Sequence, residues 1–460
     1  MKVDVLVRRG DVVFPGQCIR KADVIIQNGA VAGILAPGET VDAVEIIEAE
    51  NKLVLPGCID AHTHLTMGPG EMGYETETRS ALYGGVTTTL SYYLDAGDLE
   101  KCLPNEIATG EAKVCGDFGL HPCIVTEGQL DALPRLVDRF GVCSFKFFMI
   151  FRGEEGAYLG IPGNDDGFLF KLLRAVKHTG GIMPCVHAEN IELIWLLKEE
   201  IKGKGEDRLE YWDRARPDFG EAEATSRVLY YAEKAGSPIY VVHITCKDAL
   251  EAIRRAKRKR PGMVFAETCT HYLTLTSENA QFPGGKVNPP LRSSHDVEAL
   301  WHGIADGTID VVGSDHVPRR FEHKKGGIWK ASAGFPGTAT MLPVYLNEGV
   351  RREIPVELLV AKVTVNPAVI FGLAPMKGSL LPGSDGDLVV VDPQNDVTIT
   401  ASALGSDADY TTYEGCTVNF MPTDTILRGR SVVKNSHFVG EAGEGNYLHR
   451  QISTRRPVVV

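Results

Sequence analysis

Two histidines stand two residues apart in the stretch Leu53–Leu65, which reads Leu-Val-Leu-Pro-Gly-Cys-Ile-Asp-Ala-His-Thr-His-Leu. The apolar run before them predicts a buried strand over Cys58–His62, and residues i and i+2 of a strand project from the same face. The imidazoles of His62 and His64 can therefore point at one spot, where they would suit a divalent transition metal. A pair of surface histidines beyond a turn is the alternative. Further ligands elsewhere in the chain would favour the metal site over this alternative.

Further candidate ligands are found at later apolar runs of the chain. Lys146 lies in Cys-Ser-Phe-Lys-Phe-Phe-Met, and His187, His243 and Asp315 follow the runs Met-Pro-Cys-Val, Ile-Tyr-Val-Val and Ile-Asp-Val-Val-Gly-Ser. One histidine at the end of a strand is readily explained as a hydrogen-bonded core residue. Four histidines, a lysine and an aspartate at the ends of five strands are much harder to explain by packing, and together they indicate a metal centre.

Lys146 is flanked by Phe145, Phe147 and Phe148, and a lysine cation is costly to bury in such surroundings. Its neutral amine can react with carbon dioxide to form a carbamate, an anionic oxygen ligand that is able to bridge two metals. A lysine that reaches solvent or pairs with a carboxylate is the alternative. The spacing alone leaves both open.

The elements that must position these residues are short apolar runs that alternate with helical periodicity over residues 56–375. The predicted strands are Cys58–His62, Gly85–Ser91, Phe118–Ile124, Cys143–Met149, Ile182–His187, Ile239–His243, Val264–Glu267 and Asp310–Gly313. Eight strands alternating with helices predict the α/β class and a (β/α)8 TIM barrel, whose chemistry lies at the carboxyl ends of the strands. A doubly wound sheet gives the same alternation but does not need eight strands.

The two ends of the chain instead alternate apolar and polar residues in short pieces separated by turn signals. We expect residues 1–55 and 376–440 to pair into one small β-sandwich domain, with the catalytic barrel of residues 56–375 inserted between them. Residues 441–460 are expected to form an extended C-terminal tail.

The composition excludes several classes of partner. The chain has 460 residues and a net charge of −12, which argues against a nucleic-acid or an anionic-membrane partner. Its ten cysteines include no Cys-x-x-Cys pair, which is typical of a reduced protein. The N-terminus lacks the apolar core of a signal peptide, and no stretch approaches the ~18 apolar residues of a membrane span. We therefore expect a cytoplasmic protein.

Several motifs follow one another along the chain: Gly57–Leu65, Phe145–Met149, His187–Asn190, His243, Glu267–Leu273, Pro289–Arg292 and Gly313–His316. In this order they resemble the cyclic-amide branch of the amidohydrolase superfamily, which holds hydantoinase, dihydropyrimidinase, allantoinase and dihydroorotase. The resemblance covers essentially the whole chain.

The resemblance implies two Zn²⁺ ions per chain, or another divalent metal, held by six residues. One metal is held by His62 and His64 with Asp315, the other by His187 and His243, and a carboxylated Lys146 bridges them. A metal-bridging hydroxide then attacks a ring amide or imide carbon, while Asp315 takes the proton and can return it to the leaving nitrogen. The resemblance also implies a homo-oligomer, such as a homotetramer or a dimer, and a small cyclic amide as the substrate.

Departures from the family patterns give information on which ring is the substrate. Dihydroorotases that resemble this chain have an arginine shortly after the His-x-His, but Leu65–Gly70 contains no cation, which disfavours dihydroorotate. Hydantoinases and dihydropyrimidinases usually have a tyrosine five residues after the bridging lysine, where this chain has Phe151 and so lacks a candidate oxyanion donor. Tyr158 is a candidate replacement. The long, Gly-rich segment 151–166 predicts a mobile lid.

Asn288 and Gly334 match motifs that present backbone groups to the ring amide, at positions where hydantoinases commonly have serine and asparagine. Main-chain contacts survive such changes, so we predict amide recognition at both positions. Ordinary turn chemistry is the alternative.

The leading hypothesis is therefore a zinc-dependent cyclic amidohydrolase of hydantoinase type, which opens a five- or six-membered ureide or imide ring. Allantoinase and dihydropyrimidinase are the alternatives within this class. A non-catalytic, dihydropyrimidinase-like scaffold protein is the alternative from another class. Such scaffolds have lost metal ligands, whereas all six ligand positions are filled in this chain.

Overall fold

The computed structural model describes residues 2–161, 163–202, 208–280, 283–452 and 459–460, without the side chains of Glu154 and Tyr158. Its strands are β1 (Val3–Phe14), β2 (Cys18–Gln27), β3 (Ala30–Leu35), β4 (Ala43–Glu48), β5 (Leu53–Pro56), β6 (Cys58–Thr63), β7 (Val86–Tyr93), β8 (Asp117–Pro122), β9 (Ser144–Phe148), β10 (Met183–His187), β11 (Ile239–Val241), β12 (Val264–Cys269), β13 (Val311–Gly313), β14 (Leu388–Val391), β15 (Val397–Thr398), β16 (Thr417–Val418), β17 (Pro422–Leu427), β18 (Arg430–Lys434) and β19 (His437–Phe438).

Helices connect and cover these strands. They are α1 (Gly73–Tyr83), α2 (Leu99–Glu111), α3 (Glu127–Phe140), α4 (Gly153–Tyr158), α5 (Asp166–Thr179), α6 (Ile191–Ile201), α7 (Leu209–Ala215), α8 (Asp218–Ala235), α9 (Lys247–Lys259), α10 (Ser294–Ala305), α11 (Thr338–Arg351), α12 (Val356–Ala361) and α13 (Val365–Ile370). Within the described ranges, none of them combines the length and the hydropathy that a membrane crossing requires.

Strands β6 to β13 form the predicted eight-stranded parallel barrel, in two hydrogen-bonded sheets, β6-β7-β8 and β9-β10-β11-β12-β13. The sheets meet where Ile124 donates its N–H to the carbonyl of Lys146 at 3.1 Å, and where His64 donates to His316 at 2.8 Å. Strand β11 ends earlier than predicted because His243 has a φ of 38°, outside the extended region.

The barrel strands are buried on both faces, as parallel strands covered by helices must be. In β9, Phe145 and Phe147 face the helices, where they join the large core cluster. Lys146 lies between them on the opposite face, in register with Cys185 of β10, whose side chain packs inside the barrel with Tyr240. The period of the strand therefore directs Lys146 into the barrel.

The two chain ends pair in one sheet, as predicted. Strand β5 is parallel to β1 and antiparallel to β14, with Leu55 opposite Val389, and the order is β19-β18-β17-β14-β5-β1-β2-β3, with β4 also beside β1. We propose that this sheet is the core of a second domain. The hairpin β15–β16 lies apart from it, where Val418 packs against Ala339 of α11 on the barrel.

A buried ion cluster joins the barrel to the sheet domain. The ammonium of Lys377 lies 2.5 Å from Asp117 of β8, 2.8 Å from Asp385 and 2.7 Å from Asp387. Arg428, at the end of β17, also pairs with Asp117. The three carboxylates lie close enough to hold a metal, but the lysine and the arginine already compensate most of their charge.

The described part of the tail, residues 441–452, runs along the floor of the barrel. Phe118 of β8 donates to the carbonyl of Asn446 at 2.9 Å and accepts from Leu448 at 2.8 Å. The guanidinium of Arg450 is buried and donates to the hydroxyl of Ser144 at 2.8 Å. The tail therefore closes the end of the barrel opposite to the predicted metal ligands.

We expect Lys377→Met to lower the free energy of unfolding by about 3–5 kcal/mol, because it leaves the buried carboxylates of Asp117 and Asp387, and the partly exposed one of Asp385, without their shared cation. Denaturant unfolding followed by circular dichroism measures the change. Lys434→Met is the matched control, since the exposed pair of Lys434 with Glu45 should contribute only about 0–1 kcal/mol. Equal stability of the two variants would contradict a joining role for Lys377.

Candidate active site

The strand period of β6 brings His62 and His64 to the same end of the barrel, as the sequence predicts. Nε2 of His62 lies 3.1 Å from Oδ1 of Asp315, and Nε2 of His64 lies 3.2 Å from the same oxygen. Their ligand atoms all lie within 4.8 Å of one another, so this group could hold a metal ion. Residues at the first and last strands of the barrel are thus adjacent because the barrel closes.

His187 and His243 complete a continuous set of imidazoles. The ring centroids of His187 and His243 are 4.4 Å apart, and those of His243 and His62 are 5.3 Å apart. The structure therefore brings all four histidines and Asp315 to one centre at the carboxyl ends of the strands.

Lys146 lies beside this centre and is fully buried. Its Nζ is 4.2 Å from the ring centroid of Tyr92 and 4.9 Å from that of Phe148, and it has no hydrogen-bond partner among the described residues. Burial lowers the pKa of Lys146, against the opposing effect of Asp315 and Glu267. Among the described residues Lys146 pairs with no carboxylate, and its side chain is shielded from solvent.

Burial pushes three of the four imidazoles, those of His64, His187 and His243, towards the neutral form that ligates metals, whereas the pKa of His62 is raised. Burial lowers the pKa of His64 to about 4 and that of His243 well below its ordinary value. Burial also opposes ionisation of Asp315, but the neighbouring His62 and His64 hold its pKa well below the usual range. Burial disfavours a charged His62 as well, and here the carboxylates of Glu267 and Asp315 raise the pKa. Neutral imidazoles and an ionised carboxylate are the forms that ligate metals.

Two carboxylates that no sequence motif marks as ligands orient the histidines from the side of the rings away from the candidate metal centre. Oε1 of Glu267, on β12, lies 2.5 Å from Nδ1 of His62, and the other oxygen accepts the hydroxyl of Tyr240 at 2.7 Å. Oε2 of Glu189 lies 2.7 Å from Nε2 of His187 and from the guanidinium of Arg216. Glu267 is an acidic residue inside an apolar run, which is the sequence signal that marks it.

Two residues of this site have a left-handed backbone conformation. His243 and Asp315 have φ values of 38° and 47°, in the left-handed region that side chains rarely adopt. The N–H of His243 is held by Glu267 at 3.2 Å. Asp60 holds the strand ends on the other side, since it accepts from the N–H groups of His62 at 3.2 Å and Ser314 at 3.1 Å. Carboxylates thus fix the backbone on both sides of the centre.

Phe151 and Tyr158 lie on the segment after β9. The ring centroid of Phe151 is 4.6 Å from that of Phe148, the residue that flanks Lys146. The ring of Phe148 therefore lies between Phe151 and Lys146. Tyr158 ends the short helix α4, and its side chain lies outside the described part of the chain.

The side chain of Asn288 is occupied by the scaffold, since its Oδ1 accepts the indole N–H of Trp212 at 3.0 Å. Gly334 has a φ of 92°, and its N–H donates to the carbonyl of Lys286 at 2.9 Å. Gly334 thus has its carbonyl oxygen, rather than its N–H, to present to a ring.

Comparisons with known proteins show the family of this chain. The model of the amidohydrolase family matches residues 155–432. The chain belongs to the amidohydrolase family. It is 35% identical to the D-hydantoinase of Geobacillus stearothermophilus over 97% of this chain and 96% of that protein. It is 32% identical to the L-hydantoinase of Paenarthrobacter aurescens over 94% and 95%.

Solved structures of the family show the same fold. The dihydropyrimidinase of Brevibacillus agri superposes with a TM-score of 0.90 at 30% identity, over 97% of this chain and 99% of that one. The family match begins after Lys146, but the full-length relatives also span β6 and β9, so the similarity includes the segments that carry His62, His64 and Lys146.

We expect Glu267→Gln to lower the affinity for a divalent metal about 10- to 100-fold, because His62 loses the carboxylate that orients its ring. Competition with a chelator, followed by metal analysis of the folded protein, measures the effect. Tyr240→Phe, which leaves the carboxylate in place, is the control and should change the affinity less. An unchanged affinity in Glu267→Gln would rule out the orienting role.

Proposed function

We propose that this amidohydrolase opens a hydantoin-type ring by hydrolysis of its cyclic amide, with two divalent metal ions, zinc in the leading case. His62, His64 and Asp315 would hold one ion, His187 and His243 the other, and a carboxylated Lys146 would bridge them. The observation that carries the proposal is the buried Nζ of Lys146, which has no partner among the described residues and lies beside this set of ligands.

The residues fit such a centre on chemical grounds. Imidazole and carboxylate are zinc ligands, and burial, the largest influence on Lys146, favours its neutral amine. That amine is the form that reacts with carbon dioxide. A carbamate there would turn an unpaired buried nitrogen into a group with anionic oxygens directed at the ligands.

When bound, the metal ions would polarise the ring carbonyl and lower the pKa of a shared water. Asp315 lies against His62 and His64, which lower its pKa and favour the carboxylate form, and that carboxylate would accept a proton from the attacking water. The same carboxylate then returns the proton to the ring nitrogen as the C–N bond breaks. Glu267 and Glu189 keep the imidazoles of His62 and His187 in orientation during this exchange.

Asn288 and Gly334 would position the ring through backbone groups. The N–H of Gly334 is bonded to the carbonyl of Lys286, and the Asn288 side chain is bonded to Trp212. These bonds hold both backbones in place. Backbone carbonyls accept the N–H groups of a ureide ring, which every member of the substrate class carries.

The direct test is a panel of hydantoin, dihydrouracil, allantoin and dihydroorotate, with loss of the ring-amide absorbance as the readout. We expect turnover of hydantoin or dihydrouracil and close to two divalent ions per chain. Lys146→Ala should abolish turnover, and short carboxylic acids added with metal should restore part of it by supplying bridging oxygens. An unmodified lysine in active, metal-loaded crystals would contradict the bridge. Turnover of allantoin alone would favour allantoinase.

Phe151 and the segment after it should govern the choice of substrate. If the oxyanion-donor role is vacant, Phe151→Tyr should raise kcat on unsubstituted hydantoin. The activation free energy should fall by at most the ~2.7–4 kcal/mol that such a donor contributes. If Tyr158 has the role, Tyr158→Phe should lower kcat and Phe151→Tyr should change little. Steady-state kinetics at constant metal content distinguish the cases, and no change in either variant would refute the idea.

We propose the cytoplasm as the compartment, supported by ten cysteines that are all unpaired.

We also propose a homo-oligomer. The exposed apolar side chains Leu196 on α6 and Phe219 and Tyr230 on α8 are consistent with helix surfaces that pack between subunits. Light scattering after size exclusion measures the assembly.

A further inference from the structure

Arg319 lies on the loop that follows β13 at the mouth of the barrel, four residues after Asp315. Its backbone N–H donates to the carbonyl oxygen of Val317 at 2.9 Å, and Val317 donates its own N–H to Phe335 at 3.0 Å. A Cβ built on Gly334 would lie 2.7 Å from Cγ2 of Val317. Arg319 is thus two positions from a side chain that contacts the proposed ring-binding glycine.

The side chain of Arg319 begins against the loop that leaves His64. In that loop Gly68 has a φ of 133°, and a Cβ built on it would lie 3.3 Å from Cγ of Arg319 and 2.9 Å from the carbonyl oxygen of Pro318. Glycine therefore allows the two loops to approach closely. The segment Leu65–Gly70 has no cation of its own, and the aliphatic part of the Arg319 side chain packs against it at Gly68.

The guanidinium of Arg319 lies within electrostatic range of the phenol of Tyr410 and the ammonium of Lys324, but it has no hydrogen-bonded partner among the described residues. Arg319 is half-buried, and its side chain makes no hydrogen bond or ion pair with any residue that the structure describes. The adjacent Arg320 is more exposed and yet donates to Asp407 at 2.7 Å. A half-buried guanidinium has given up part of its hydration, and its planar set of N–H donors fits an anion that comes from outside the chain.

Two further cations lie on the same side of the site. Lys286 and Lys324 are buried, and neither forms an ion pair with a described carboxylate. The Lys286 ammonium donates to the carbonyls of Ile328 and Ala331 at 2.5 Å, and that of Lys324 donates to the carbonyl of Lys286 at 2.9 Å. Burial first, and then Lys286 and Arg319, lower the pKa of Lys324. An anion bound at Arg319 would relieve this repulsion.

We propose that Arg319 binds a carboxylate on the ring substituent, so that the preferred substrates are hydantoins with short acidic side chains. The guanidinium fork matches a carboxylate through two parallel hydrogen bonds. This inference rests on the proposed function, because the ring must lie at the metal centre while its substituent reaches Arg319.

The test compares 5-carboxymethylhydantoin with its neutral carboxamide, which has nearly the same shape, in the metal-loaded wild-type enzyme and three variants. We expect Arg319→Met to lower kcat/KM for the acid about 10- to 100-fold, mainly through KM, and to leave the carboxamide within about twofold. Arg319→Lys should keep part of the preference for the acid. Arg320→Met, the matched control, should change neither substrate.

Equal losses on the acid and the carboxamide in Arg319→Met would mean a structural role and would overturn the proposal, as would unchanged kinetics on the acid. Failure of the proposed function looks different, because the wild-type enzyme would then open neither compound nor unsubstituted hydantoin. In that case calorimetric binding of 5-carboxymethylhydantoin still decides the role of Arg319. Tighter binding to the wild type than to Arg319→Met supports it, and equal binding overturns it.

Discussion

The enclosed amino group of Lys146 is the constraint around which the active site is built. Strand β9 directs it into the barrel between two aromatic side chains, Tyr92 and Phe148, with no partner among the described residues. An isolated cation is costly there, so the surroundings favour the neutral amine. The reactivity that the proposed bridge needs is thus a consequence of where the barrel places one side chain.

The carboxylates around Lys146 lie at two distances from the candidate metal centre. Asp315 lies in direct contact with His62 and His64, and Glu267 and Glu189 lie behind the imidazoles. The pKa of Glu189 is held at about 2, since Arg216 and its hydrogen bond to the ring outweigh the effect of burial. These carboxylates orient rings that would otherwise rotate, and they hold the left-handed backbone of His243.

The proposed substrate contacts lie on loops, whereas the candidate metal ligands lie in the barrel strands or close to their carboxyl ends. Phe151, Asn288, Gly334 and Arg319 all lie on connections beyond the carboxyl ends of strands, where a barrel can change specificity without changing its core. Trp212 on α7 steadies Asn288 through its indole N–H. The proposed metal ligands and the proposed substrate contacts therefore lie on different parts of the same scaffold.

The sequence by itself determined the local features. The two-residue period of a strand placed His62 and His64 on one face, the flanking phenylalanines marked Lys146 as buried, and the count of eight alternating strands predicted the barrel. The first two depend only on neighbouring residues and the third on a repeated local pattern, and the barrel and the pairing of both chain ends in one sheet are confirmed.

The tertiary structure alone decided contacts between distant residues. His62 and Glu267 are separated by 205 positions, and no local pattern pairs them. The same holds for Arg319 against Gly68, and for the N–H of Gly334, which is already bonded to the carbonyl of Lys286. These contacts follow from how the barrel closes and how its loops fold back, because closure brings the first and last strands together and makes neighbours of residues that the sequence keeps far apart.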